Sequence, residues 1–271
     1  MRTGVLLLCC WLLIGLAARA QTQEEIDHAV AAAVAQNLKD EDELRQYIYV
    51  EDAAFSNDYN NGRNWTPVRH ERYEHLIVGG KPYLKLIAKD GKPLKGRDAT
   101  REEKRYQEAM ARAEGFTMED HLDEGVAVVE VDDSLEPVPE KYRHRLVRKE
   151  QMDGKDLWVI ECDPKSGSGL STTFTLWIDP LTGKLWKYRY QVHQDTNTAL
   201  IGTYGIHEYM DERGVMLPCH SEMHFRTREG DRFYNGIGER DYSQYRRFQA
   251  TAHIVDVKPS ASANPGSAPA R

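Results

Sequence analysis

From residue 142 onward the chain alternates apolar and polar side chains with a period of two, and turn residues cut the runs at short intervals. The alternation predicts strands over 142–151, 156–162, 171–178, 184–193, 199–209, 214–226 and 231–242, with a last one near 247–257. Asp153-Gly154, Asp179 to Gly183, Asp211 to Gly214 and Glu229-Gly230-Asp231 supply the turns between them. Upstream, Tyr47 to Val50 is rich in β-formers, and a strand over 67–78 turns at Gly79-Gly80 into 82–89, which Asp90-Gly91 closes. Two stretches have helical period instead. Ile26, Val30, Val34 and Leu38 recur every fourth residue over 24–38, and Thr100 with Glu103 has capping-box spacing, opening a charged helix through about 113. Residues 114–140 are acidic and contain Pro137 and Pro139, which predicts a long surface loop with one short element around 126–131. Nine or ten sequential strands with two helices define a mainly β (α+β) chain, a long antiparallel meander. Accumulated twist curls such a sheet into a barrel or an incomplete barrel, with helices covering its apolar face.

The first twenty residues fit none of these periods. Arg2 precedes an apolar run from Val5 to Leu16, and Ala18-Arg19-Ala20 is a small-x-small cleavage site, so 1–20 is read as a signal peptide with Gln21 as the mature terminus. Cys9 and Cys10 would leave too short an apolar core for a lipoprotein signal. Nothing after Ala20 is long and apolar enough to span a bilayer. These features predict an exported protein, periplasmic or secreted. Loss of Arg2 and Arg19 takes the net charge from -7 to -9, which argues against nucleic acid as a partner. Cys162 and Cys219 are the cysteines left after Ala20; in an oxidising compartment they form a disulfide or serve as two small buried hydrophobes. Residues 258–271 hold Pro, Ser, Ala and Gly without large apolar side chains, the composition of a disordered tail. One domain over 21–257 lies between signal and tail.

Within that domain the aromatics are the main candidates for chemistry. Trp158, Phe174, Leu176, Trp177, Trp186, Tyr188 and Tyr190 lie on consecutive strands of a curved sheet, where they line a cavity for an apolar ligand or fill a core under the helix. Val215, Leu217, Cys219, Met223 and Phe225 share one face of their strand by alternation. His220, Glu222 and His224 share the other, and two imidazoles with a carboxylate are zinc-type ligands, although this face looks outward to water. Ser166 to Gly169 lacks the spacing of a nucleophile elbow, and there is no phosphate loop, H-E-x-x-H or Cys-x-x-Cys. The reading is of a chain with no catalytic residues, no metal and no cofactor.

The stretch Phe174-Thr175-Leu176-Trp177-Ile178-Asp179-Pro180-Leu181-Thr182-Gly183-Lys184-Leu185 resembles the hairpin of the LolA/LolB-like superfamily of lipoprotein localisation factors. The block from Gly80 to Leu94 resembles uncharacterised secreted bacterial relatives. The resemblance spans most of 24–257 and implies an incomplete β-barrel closed by helices, whose apolar cavity holds a lipid or the acyl chains of a lipoprotein. The longer chain, the acidic segment 114–140 and the Pro/Ser/Ala tail depart from the well-known carriers. The expected function is binding of lipid or an acylated lipoprotein in the bacterial envelope. The alternative is a non-enzymatic scaffold or interaction module for an envelope protein, with a packed interior.

Overall fold

The first strand and the last described strand pair with each other. A computed structural model describes residues 21–58, 64–113, 134–196, 199–229 and 232–248. Helix α1 (Gln23–Leu44) leads into β1 (Tyr47–Asp58), β2 (Arg69–Val78), β3 (Lys81–Lys89) and the two-residue β4 (Lys92–Pro93). Helices α2 (Gly96–Ala113) and α3 (Val138–Lys141) precede the meander β5 (Tyr142–Met152), β6 (Lys155–Pro164), β7 (Thr172–Ile178), β8 (Leu185–Val192), β9 (Tyr204–Glu212), β10 (Val215–Glu229) and β11 (Arg232–Arg247). All eleven strands form one antiparallel sheet in the order β4-β3-β2-β1-β11-β10-β9-β8-β7-β6-β5. Because β4 and β5 do not pair, the barrel is incomplete. The signal peptide, most of the loop 114–140, the strand expected over 247–257 beyond Phe248, and the tail lie outside the described residues.

The predicted turns carry the expected backbone. Asp153 and Gly154 both have positive φ (50° and 76°), the geometry that matches a two-residue hairpin to strand twist. Helix α1 is capped as its sequence allows: Thr22 accepts from the Glu25 amide at 3.2 Å, and Glu25 accepts from the Thr22 amide at 2.9 Å. It runs to Leu44, six residues past the last apolar position of the predicted period. Its buried stripe of Ile26, Ala29, Val30, Ala33 and Val34 packs over β5, β7, β8 and β10. Under it lie Ile160, Cys162, Phe174, Leu176, Tyr188 and Tyr190, with Leu135, Val138 and Tyr142 closing one end.

Helix α2 starts four residues before the predicted cap. Thr100 is therefore inside it, and its hydroxyl donates to the Gly96 carbonyl at 3.0 Å instead of capping. The helix covers the edge of β3 where β4 is too short to pair: Arg105 donates to the Leu84 carbonyl at 2.6 Å, and the Leu86 amide donates to Glu102 at 3.3 Å. An edge strand is protected from pairing with another chain by side chains standing in for a ladder.

The N-terminal half of α1 is fixed to β5 through His144, which is buried. One ring nitrogen lies 2.7 Å from Asp27 and the other 3.0 Å from the Val138 carbonyl, while Gln23 donates to the His144 carbonyl at 3.0 Å. Burial raises the Asp27 carboxyl, but its hydrogen bonds with His144 and Gln23, together with the charges of His144 and Lys165, outweigh that and hold it below the usual range. Replacing His144 by Phe takes the ring nitrogens from the Val138 carbonyl and from Asp27, which keeps only the Gln23 amide at 2.9 Å. The expected cost is about 1–3 kcal/mol, read as a lowered urea midpoint with unchanged slope; an unchanged midpoint contradicts this tether.

Candidate functional site

Residues directly opposite one another on neighbouring strands share a face, so the registers trace each face across the sheet. One row runs Leu146, Ile160, Leu176, Tyr188, His207, Ser221, Arg240, Ala53, Glu71. Its first half is the core under α1, so this is the inner face. The adjacent outer row runs Val159, Trp177, Lys187, Glu208, His220, Asp241, Asp52, Arg72.

These rows place the aromatics singled out by sequence. Phe174 (2% exposed), Leu176 (0%) and Tyr190 (1%) are packed in the core with Tyr188, and Trp158 is half-buried against the same core. Trp177 and Trp186 belong to a separate buried cluster with Leu157, Val159 and Met216. Trp177 is on the outer alternation, where its indole N–H donates to Glu150 at 3.3 Å. None of the seven lines either of the two pockets described below. Cys162 and Cys219 are free thiols. Strands β7, β8 and β9 stand between them, roughly 19 Å along the sheet, against the 7 Å or less that a bridge allows between Cα atoms. The expectation that Val215, Leu217 and Cys219 share a face with Met223 and Phe225 is corrected by a bulge between Pro218 and His220. The bulge shifts the alternation, so Leu217 faces Met210 while Met223 faces Gly205 on the opposite side.

The inner face carries a second cluster beyond α1, where neither helix packs extensively on β1 or β11. Glu51, nearly buried, is bracketed by His75 at 2.7 Å and Arg240 at 3.2 Å. The Tyr49 ring stacks on His75 at 4.0 Å and on Tyr245 at 5.1 Å, and meets Tyr242 edge-on at 6.1 Å. Tyr242 lies 3.3 Å from the Ser221 hydroxyl, and Tyr245 donates to the Pro218 carbonyl at 2.5 Å. Burial pushes all three phenols upward, so they stay neutral. His207 joins this cluster to the core: its ring stacks on Tyr188 at 4.6 Å. The result is a half-buried aromatic surface over a compensated charge triad.

Sequence reasoning missed this cluster for two reasons. Tyr242 and Tyr245 are three apart, so strict alternation assigns them to opposite faces. A bulge at Gln244, whose φ is 58°, brings both onto Tyr49. The triad draws one residue each from β1, β2 and β11, and no spacing announces it.

The outer face holds a groove of about 860 Å³ over β11, β1, β2 and β3, lined by Asp52, Arg72, Glu74, Glu239 and Asp241 among others. Its charge does not suit an acyl chain. A smaller pocket of about 430 Å³ is lined by Trp65, His224, Phe225, Arg226 and Asn235. His220, Glu222 and His224 do share the outer face, where His224 pairs with Glu222 at 2.7 Å and His220 with Asp241 at 2.8 Å. No helix among the described residues is long and apolar enough to cross a membrane.

No family model matches the chain, and no curated protein matches it. Among solved structures it is similar to a DUF1329 family protein from Desulfovibrio piger, with 14% identity, a TM-score of 0.37, and coverage of 82% of this chain and 93% of that one. It is also similar to a LolA superfamily protein from Nitrosomonas europaea (13% identity, TM-score 0.35, covering 85% and 96%). A putative outer membrane lipoprotein-sorting protein domain from Vibrio parahaemolyticus gives 13% identity and a TM-score of 0.38, covering 83% and 95%.

The half-buried position of His207 has a measurable consequence. Burial first, and the nearby Arg240 charge second, lower its pKa from the usual 6.5 to about 4. Between those values the unfolded chain binds a proton that the native state does not, so stability falls as the pH drops from about 7 toward 4. The loss at pH 5 is about 1–2 kcal/mol. Urea midpoints at pH 7 and pH 5 should separate less in His207→Phe than in the wild type; equal separations contradict the assignment.

Proposed function

We propose that this chain is a non-catalytic binding protein of the bacterial envelope whose ligand is apolar, a lipid or the acyl part of a lipoprotein. The observation that carries the reading is the half-buried aromatic surface of Tyr49, Tyr242 and Tyr245 on the inner face beyond α1. Tyrosines of this kind present broad apolar rings while their hydroxyls are held by Ser221 and Pro218, a combination suited to a chain of methylenes beside a polar group. Each buried methylene contributes about 0.8 kcal/mol, so eight of them give roughly 6 kcal/mol before the cost of association. The Glu51 triad beneath is already internally compensated and leaves no bare charge to repel such a ligand.

A second reading, an interaction module with a filled interior, is favoured by the core under α1. Phe174, Leu176 and Tyr190 are closed off there and offer a ligand no room. The two readings separate in one titration. A fluorescent fatty acid added to the folded protein is expected to bind saturably at micromolar concentration. Tyr242→Asp with Tyr245→Asp should abolish uptake, while the outer-face control Lys187→Ala leaves it intact. Absence of saturable uptake by the folded wild type favours the interaction module.

A further inference from the structure

The outer row across β8, β9, β10, β11, β1 and β2 is a ladder of charges. Lys187 pairs with Glu208 at 2.7 Å, His220 with Asp241 at 2.8 Å, and Arg72 with Asp52 at 3.5 Å. Basic and acidic residues alternate along it except at one step, where Asp241 sits directly opposite Asp52. The neighbouring row repeats the conflict, with Glu222 directly opposite Glu239. Glu222 is answered by His224, but Glu239 has no ion pair or hydrogen bond among the described residues. Like charges directly opposite on adjacent strands destabilise a sheet; Asp52, Asp241 and Glu222 each have a basic partner, which leaves Glu239 as the carboxylate of this corner without one among the described residues. The ligand atoms of His220, Glu239 and Asp241 all lie within 4.8 Å of one another, and Glu239, Asp241 and Asp52 open into the outer groove.

We propose that this corner of the sheet binds a divalent transition cation of the zinc type, held by His220, Glu239 and Asp241, with Asp52 as the adjacent charge. The donor set is one imidazole nitrogen and two carboxylates, which suits a borderline cation such as Zn²⁺ better than Ca²⁺ or Mg²⁺, whose sites are built from oxygen alone. The three residues come from adjacent positions of a rigid two-strand register, so their backbones are already placed. The groove leaves the remaining coordination positions open to water or to a ligand. The set differs from the His220, Glu222 and His224 triplet that spacing along one strand suggests: Glu222 and His224 satisfy each other, and the converging partners come from β11. The cation is also on the face opposite the aromatic surface, so the site does not depend on the proposed function.

The test uses the untagged chain, treated with a chelator, and Zn²⁺ alone as the probe. Calorimetric titration is expected to show one saturable site at micromolar Zn²⁺, and the thermal midpoint should rise with it. Asp241→Asn and His220→Gln should lose that site, and Ca²⁺ should not replace Zn²⁺. Glu239→Gln gives a further readout with opposite signs. Without metal it relieves the facing Glu222 and should raise the midpoint; with saturating Zn²⁺ it removes a ligand and should lower the midpoint relative to wild type. The proposal is overturned by an absence of saturable uptake, by uptake that survives Asp241→Asn, or by a Glu239→Gln variant that is the more stable protein with and without zinc.

Discussion

The pairing of β1 with β11 is the constraint on which the rest depends. It runs from Tyr47 opposite Arg247 to Asp58 opposite Asn235, and it joins a four-strand N-terminal group to a seven-strand meander. Without it each group has an extra edge. Because its partners are nearly two hundred positions apart in the chain, its loop-closure entropy is met only after the local hairpins have formed. The salt bridges Arg246 to Glu74 at 2.9 Å and Arg247 to Glu43 at 3.1 Å tie the end of β11 to β2 and α1 across the same seam.

Both faces of that seam carry groups that no single segment of chain could assemble. On the inner side Tyr49 and Glu51 from β1 meet Arg240, Tyr242 and Tyr245 from β11. On the outer side Asp52 meets Asp241. Alternation makes the two chemistries neighbours in sequence and strangers in space: Glu51 and Asp52 are consecutive, yet one supports an aromatic surface and the other borders a charged groove. A one-residue slip of the register would exchange them, which is why the bulge at Gln244 matters as much as any side chain.

The strands were largely legible in the residues because their turns announce themselves. Gly79-Gly80 and Asp153-Gly154 adopt the positive φ values that their composition suggests. The open antiparallel meander and the helix over its apolar face follow from the same signals. The continuation of β1 through Glu51 to Asp58 was not legible, because Ala53, Ala54, Ser56 and Asn57 are poor strand formers whose place is set by two partner strands. Which aromatics sit where was half legible. Alternation separates Trp177 from Phe174 and Leu176 correctly, but it fails wherever a bulge intervenes, at Cys219 and at Gln244. The triad of Glu51, His75 and Arg240 left no sequence signal at all, since its members meet only through tertiary pairing.

The central claim is that an apolar ligand meets the sheet at the β1–β11 seam and not in the core beneath α1. Hydrogen–deuterium exchange of the protein with and without a bound fatty acid tests it most directly. The account predicts added protection in β1, β10 and β11 around Tyr49, Ser221 and Tyr242, with β6, β7 and β8 unchanged. Protection concentrated around Ile160, Leu176 and Tyr188, with none at the seam, would contradict it.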